Sequence, residues 1–211
     1  MNRTAKIKVM VVDDHPMVRE GVAAVISTEP DMQVIAEAGG GRDAIKLFRS
    51  HRPDVTLMDL RMPDLGGVEA TRKIRESFSS ARILILTAFD ADEDIYRAMQ
   101  AGAEGCLLKG AFRDEVITAI RTVHLGRRYI PATVAQMLAE RVGNPDLTPR
   151  EMDVLKLIVK GNSNKEIAVA LTVTEGTIKW YVINILGKLN VHDRTQAATV
   201  AIARGIVHLE K

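Results

Sequence analysis

Asp13, Asp14, Asp59, Thr87 and Lys109 are the residues of this chain whose types and positions suit one piece of chemistry. Each lies at the end of a short strand-like run: Ile7–Val12 before the aspartate pair, Asp54–Met58 before Asp59, Arg82–Leu86 before Thr87, and Gly105–Leu108 before Lys109. If those runs are parallel strands, the five residues gather at the carboxyl edge of one sheet, where open α/β folds bind ligands. Carboxylates brought together repel one another, so the site invites a hard divalent cation with oxygen ligands, most naturally Mg2+. Lys109 then supplies a point charge for a phosphoryl oxygen, and the Thr87 hydroxyl a donor for another. Asp59 is placed to act as a nucleophile toward a phosphoryl donor, forming an aspartyl phosphate. Such a transfer needs little beyond in-line placement and charge neutralisation. A single strand-end aspartate is more simply a helix cap or a solvated acid; five residues at matching strand ends are poorly explained that way.

The elements that must position them alternate. A further strand-like run is Gln33–Ala36, and amphipathic stretches fall at Met17–Ser27, Asp43–Arg49, Gly67–Ser77, Glu93–Ala101 and Phe112–His124. Five strands alternating with five helices imply right-handed crossovers and a parallel sheet covered on both faces. The unbroken apolar character of Val9–Val12 and Ile83–Leu86 agrees with strands buried on both sides. After His124 the pattern changes. Residues 125–146 carry Gly126, Pro131, Gly143 and Pro145 and read as a linker with a short helix near Thr133–Arg141. From Leu147 the reading is helical throughout, with capping boxes at Thr148-Pro149-Arg150-Glu151 and Ser163-Asn164-Lys165-Glu166 and a helix stop at Gly161. Four short helices over 147–211 form a module of helix-turn-helix type.

Composition is consistent with two domains, 1–124 and 147–211: 211 residues, 46% of them hydrophobic, is enough for two cores. Residues 1–124 carry 17 basic and 19 acidic side chains, residues 125–145 three and one, and residues 146–211 nine and seven. The small basic excess thus sits where a nucleic-acid binder would have it. No apolar run is long enough to span a bilayer, and residues 1–6 lack an apolar leader, so a cytoplasmic protein without a membrane partner is expected. A single cysteine, Cys106, cannot form an internal disulfide, in keeping with a reducing compartment.

The segments Val11-Val12-Asp13-Asp14-His15-Pro16, Leu57-Met58-Asp59-Leu60-Arg61-Met62-Pro63, Leu86-Thr87-Ala88 and Leu107-Leu108-Lys109 closely resemble the receiver domain of two-component response regulators. That resemblance implies a flavodoxin-like five-stranded fold and Asp59 as phosphoacceptor for a sensor histidine kinase. It also implies Mg2+ held by Asp13, Asp14, Asp59 and the backbone carbonyl of Arg61, Thr87 as the switch hydroxyl, and Lys109 as the phosphate contact. One position departs from the pattern. Receivers usually carry Tyr or Phe three residues before the lysine, coupled to the switch hydroxyl, and here Cys106 stands there; Tyr96 and Phe89 lie nearby in sequence as substitutes. A buried, inert thiol is the simpler reading of Cys106 than redox sensing.

The segment from Leu147 through Asn164-Lys165-Glu166, Gly176-Thr177-Ile178-Lys179 and Asp193-Arg194-Thr195-Gln196-Ala197 to Leu209 resembles the LuxR-type DNA-binding domain of the NarL/FixJ regulators. At about 100° per residue, Ile178, Val182, Ile185 and Leu189 form the core stripe of its third helix. Gly176, Lys179, Trp180, Ile183 and Gly187 lie opposite, on the face that would enter the major groove of double-stranded DNA. Lys179 suits guanine or phosphate, and Trp180 and Ile183 suit thymine methyls or sugar edges. Asn184 and Lys188 on the flanks, with Thr148, Lys165 and Thr177, suit backbone contacts. This helix departs from the family in Trp180, Tyr181, Ile183 and Gly187, where small polar, His, polar and basic residues are usual. The resemblance also implies a homodimer paired through Arg194–Arg204, whose Ala197, Ala198, Ala201 and Ala203 permit close helix approach.

The expected function is therefore a transcriptional regulator whose phosphorylation controls dimerisation and promoter binding, not an enzyme beyond its own aspartyl-phosphate chemistry. Aspartyl-phosphate phosphatases also use a strand-end aspartate, but typically need a second acid two residues on, where this chain has Arg61. A protein-binding output without DNA contact is the other alternative, suggested by Trp180, Ile183 and Gly187.

Overall fold

In the computed structural model, which describes residues 6–88, 92–141 and 146–207, strands and helices alternate as the pattern requires. The strands are β1 (Ile7–Val12), β2 (Met32–Ala38), β3 (Val55–Asp59), β4 (Ile83–Thr87) and β5 (Gly105–Leu108). The intervening helices are α1 (Pro16–Ser27), α2 (Gly41–His51), α3 (Gly67–Ser77) and α4 (Asp92–Gln100), and α5 (Arg113–His124) follows β5. All pairings are parallel, in the order β2-β1-β3-β4-β5. The order reverses direction at β1, so the carboxyl ends of β1 and β3 lie side by side at the switch point where such sheets bind ligands. Register completes the alignment: Val12 pairs with Met58, Asp59 with Leu86, and Thr87 with Leu108.

Alternation along the strands divides two buried faces. Val9, Val11, Leu57, Leu84, Leu86 and Leu107 pack with Ile26 of α1 and with Val116, Ile117, Ile120 and Val123 of α5. Their neighbours Met10, Val12, Met58, Ile83, Ile85 and Cys106 are equally buried and point to the other side, where α2 and α3 lie against each other. Strands enclosed on both faces need apolar residues at every position, which is why β1 and β4 read as continuous runs.

Two features differ from expectation. Helix α2 starts at Gly41 rather than Asp43, because its cap comes from elsewhere: Asp64 accepts from the Gly41 N–H at 3.0 Å and from the Arg42 N–H at 3.1 Å. The approach is close enough that a Cβ on Gly40 would sit 2.5 Å from Asp64 Oδ1. Asp64→Ala is expected to cost about 1 kcal/mol, the worth of an N-cap, with Asp64→Asn recovering part of it. Urea denaturation of the two variants checks this, and an unchanged midpoint for Asp64→Ala would show that water serves the cap equally well. The second difference is the stretch read as linker, whose first part joins the sheet. Tyr129 N–H donates to the Glu104 carbonyl at 3.2 Å, and the Cys106 N–H donates to the Tyr129 carbonyl at 2.9 Å. Tyr129 thereby covers the open edge of β5 and anchors its hydroxyl on Glu115 at 3.1 Å.

Helix α6 (Ala132–Arg141) follows, and the second compact unit, which takes in its residues from Gln136 on, holds α7 (Pro149–Val159), α8 (Asn164–Leu171), α9 (Glu175–Leu189) and α10 (Arg194–Ala203). Both expected capping boxes form, Thr148 with Glu151 and Ser163 with Glu166, and Gly161 takes the positive φ of a helix stop. Thr172, left-handed at the end of α8, and Thr174, the N-cap of α9, bound the tight turn between those helices. Val154, Leu155, Ile158, Ile167, Ile178, Ile185 and Leu189 form the core. Among the described residues no helix is long and apolar enough to cross a membrane.

Candidate functional site

The ends of β1, β3 and β5 bring their polar residues into contact. Lys109 Nζ lies 2.8 Å from Asp13 Oδ2 and 2.9 Å from Asp59 Oδ2. Both aspartates are buried, as is Thr87. Asp14 is half-buried at the rim, with His15 Nδ1 2.8 Å from its Oδ1 and 3.2 Å from Asp13 Oδ1. One donor atom from each of Asp13, Asp14, His15 and Asp59 lies within 4.8 Å of all the others. His15 is a member of the cluster that sequence reasoning does not single out; the signal that places it there is its position two residues after Asp13. Arg19, one turn into α1, donates to the Asp13 carbonyl at 2.7 Å and fixes that end of β1.

The electrostatics explain what this cluster can accept. Burial pushes the Asp59 carboxyl above the usual carboxylate range; Lys109 pulls the other way, Asp13 adds to the rise, and the Arg61 N–H opposes it. Burial also works against the Lys109 ammonium, but its contacts with Asp13 and Asp59 outweigh that and hold its pKa above the ordinary value. Asp13 Oδ2, Asp14 Oδ1 and Asp59 Oδ2 are buried with no hydrogen-bond donor aligned on them, and ion pairs with Lys109 and His15 are their compensation. Carboxylate oxygens clustered in this way are the kind of donor set a hard divalent cation takes. The Arg61 guanidinium lies 3.6 Å from the Asp94 carboxylate.

The Thr87 hydroxyl donates to the Ala88 carbonyl at 2.9 Å, turned to its own backbone. The Lys109 N–H donates to the Thr87 carbonyl at 2.7 Å, which ties the two residues by backbone. Cys106 is fully buried, and burial pushes its thiol up to about 12. Burial of this kind disfavours the thiolate, the reactive form of the side chain. Of the two aromatic substitutes, Tyr96 is half-buried on α4 and Phe89 lies outside the described residues.

In the second unit α9 presents the face that helical geometry predicts. Ile178, Ile185 and Leu189 are buried and Val182 is partly buried, while Trp180 and Ile183 are exposed. Lys165 is exposed on the first turn of α8, and Lys179 is exposed beside Glu175 at 3.1 Å. Thr177 belongs to the N-cap of α9, its N–H donating to Thr174 Oγ1 at 3.2 Å. Lys188 does not stand free for a phosphate: its Nζ donates to Glu151 at 2.7 Å and to the Asp146 carbonyl at 2.9 Å. The acid of the first capping box captures it, an arrangement that spacing alone does not reveal. On α10, Ala197 and Ala201 are sealed in the unit's own core, so they are not available to a partner helix. Intradomain packing uses those small residues, and the exposed side of α10 carries Thr195, Thr199, Ile202 and Ala203.

Comparison with known proteins agrees with both halves. Residues 9–121 match the family model of the response regulator receiver domain, and residues 145–201 that of bacterial regulatory proteins of the luxR family. Response regulator protein VraR of Staphylococcus epidermidis is 39% identical over 206 residues, covering 95% of this chain and 99% of its own. VraR of Staphylococcus aureus is 40% identical over the same length. Among solved structures, the response regulator ChrA of a heme-sensing two-component system is 34% identical, covering 97% of this chain and 100% of its own at a TM-score of 0.58. RcsB of Salmonella enterica serovar Typhimurium, bound to a promoter, shares the fold at a TM-score of 0.73, 24% identity and coverage of 94% and 98%. The chain therefore belongs to the two-component response regulators, as a DNA-binding transcription regulator that joins a receiver domain to a LuxR-type helix-turn-helix domain.

Proposed function

We propose that Asp59 accepts a phosphoryl group from the phosphohistidine of a partner sensor kinase, and that its phosphorylation controls dimerisation and promoter binding in the cytoplasm. The observation that carries this reading is the Lys109 ammonium seated between Asp13 and Asp59. An Asp59 carboxylate oxygen attacks phosphorus in line; the new O–P bond forms as the P–N bond breaks and its electron pair returns to the imidazole. Asp13, Asp14, Asp59 and the Arg61 carbonyl would hold Mg2+, which supplies charge neutralisation at the phosphoryl oxygens. Lys109 stabilises one of those oxygens. The Thr87 hydroxyl reaches another by leaving the Ala88 carbonyl, and that rotation is the switch movement.

The working domain limits are 1–124 for the receiver, 125–146 for the connection and 147–211 for the DNA-binding domain. Lys165, Thr177, Lys179, Trp180, Ile183 and Asn184 carry the DNA contact. A phosphorylated pair of receivers acts by favouring one state of the output; only a difference in affinity between the two states shifts the equilibrium. Full-length protein treated with acetyl phosphate and Mg2+ is expected to dimerise in sedimentation and to shift promoter fragments in gels, with an affinity that falls steeply as salt rises. Identical sedimentation and DNA affinity with and without acetyl phosphate would remove the phospho-switch. Absence of any shift at low salt would remove the DNA output.

A further inference from the structure

The outer face of α9 lacks free cations at its centre and exposes apolar surface instead. Trp180 is 58% exposed and Ile183 68%; with Thr148, Glu151, Asn184, Gly187 and Lys188 they line one shallow groove. Lys179 sits toward the N-terminal end of the helix, beside Glu175. Lys188 is turned back onto Glu151. Gly187 offers no side chain, although a Cβ there would meet nothing within 4 Å. Beside Thr148 and the mutually paired Glu151 and Lys188, the groove presents an indole, a branched aliphatic group one turn along, and the Asn184 amide.

These groups fit one feature of a DNA major groove. Guanine O6 and N7 call for Arg or Lys donors, whereas the C5-methyl of thymine is the apolar group that base pairs display there. The Asn184 amide adds a match to adenine N6 and N7, which belong to the same base pair as that methyl. The indole ring meets Tyr181 edge-on at 5.1 Å and 66°, and Tyr181 packs against the unit's core. Resting on α9 as the DNA-contacting helix, we propose that Trp180 and Ile183 read thymine C5-methyl groups. Binding then depends on the methyls themselves, and the centre of each half-site is made of T·A pairs.

The test uses full-length, beryllofluoride-treated protein and duplexes selected by it from a random-sequence pool. Affinity is measured for the selected duplex with thymine, with uracil at the central positions, and with those pairs changed to C·G with and without a C5-methyl on cytosine. Uracil is expected to weaken binding about fourfold per methyl lost, or about 15-fold for two, the equivalent of about 0.8 kcal/mol for each methyl-sized group left exposed. Methylating the cytosines should restore part of the loss. Trp180→Ala and Ile183→Ala should each bring the thymine-to-uracil ratio toward one, while Trp180→Phe keeps it. These positions are exposed, so the helical circular dichroism should be unchanged. Equal affinity for thymine and uracil duplexes overturns the inference and leaves DNA binding standing. A ratio that persists in Trp180→Ala and Ile183→Ala also overturns it, since duplex shape would then be its source. Retention of no duplex at low salt overturns the DNA-contact reading itself and leaves this face as a protein-contact surface.

Discussion

Asp59→Asn is expected to abolish phosphoryl acceptance and, at neutral pH, to raise the melting temperature of the receiver. The first effect follows from the chemistry: an amide oxygen is a far weaker nucleophile than a carboxylate. The second follows from burial. The Asp59 carboxyl stands above its ordinary range because burial, and Asp13 beside it, disfavour the charged form more than Lys109 supports it. A carboxyl whose pKa is higher folded than unfolded contributes stability that is full below the unfolded value and lost as pH rises through the folded value. At neutral pH the ionised group is therefore a cost, and an isosteric neutral amide removes it. A rise of roughly 2–5 °C is the scale for a change of this kind in a domain of this size. Lys109→Ala should move melting the other way, because Asp13 and Asp59 then lose their counter-charge in a buried site. Radiolabelled acetyl phosphate and thermal melting at pH 7.5 measure both effects. Label retained by Asp59→Asn would place the acceptor elsewhere; a lower melting temperature for it would mean that Lys109 stabilises the carboxylate by more than burial costs.

The parts of this molecule legible in its sequence were those set by local pattern. Strands β1, β3, β4 and β5 could be found within a residue because burial on both faces demands unbroken apolar runs, and their polar ends marked the pocket. The capping boxes at Thr148 and Ser163 were legible because each is complete within four residues. What could not be read involves partners far apart in the chain. Asp64 caps α2 from 23 residues away. Arg113 pairs with Glu29 at 2.6 Å and Arg121 with Asp31 at 2.8 Å across gaps of 84 and 90 residues. No periodicity records such pairs. The order β2-β1-β3-β4-β5 is likewise a property of the assembled sheet. On α9 the helical stripe assigned core and outer faces correctly, yet it gave Lys188 to DNA, because a stripe sets the direction of a side chain's root and not where a long flexible stem ends.

Glu151→Ala is expected to remove most of the stability of the DNA-binding domain. Glu151 is 3% exposed and accepts from Thr148 N–H at 2.7 Å, Thr148 Oγ1 at 2.9 Å and Lys188 Nζ at 2.7 Å. Truncation removes the half of the capping box that serves the Thr148 N–H, while Thr148 Oγ1 still accepts from the backbone N–H of residue 151, so this part costs about 0.5 kcal/mol, the low end for a cap. It also leaves Lys188 largely buried with only the Asp146 carbonyl for a partner, and breaking a buried pair from one side costs about 3–5 kcal/mol. The sum approaches the total stability of a small helical domain, about 5 kcal/mol. Lys188→Met should cost much less, because the carboxylate keeps both Thr148 donors while an apolar side chain fills the space. Trp180 is the chain's single tryptophan and lies on α9, so its fluorescence during urea denaturation of the full-length protein follows this domain. The acid dependence carries a matching sign. Burial alone would raise the Glu151 carboxyl, but Lys188 and Thr148 hold it below its ordinary value. Its contribution is therefore present above the unfolded glutamate range and lost as pH falls through the lower folded value. Equal destabilisation by Glu151→Ala and Lys188→Met would show that loss of the ion pair, which the two variants share, is what matters, and not the stranded cation or the cap. The same pair of variants decides the role of Lys188 at the DNA. A phosphate contact adds about 0.9 to the slope of log affinity against log salt, so a lysine occupied by Glu151 predicts an unchanged slope in Lys188→Met, and a slope shallower by that amount would return it to the DNA.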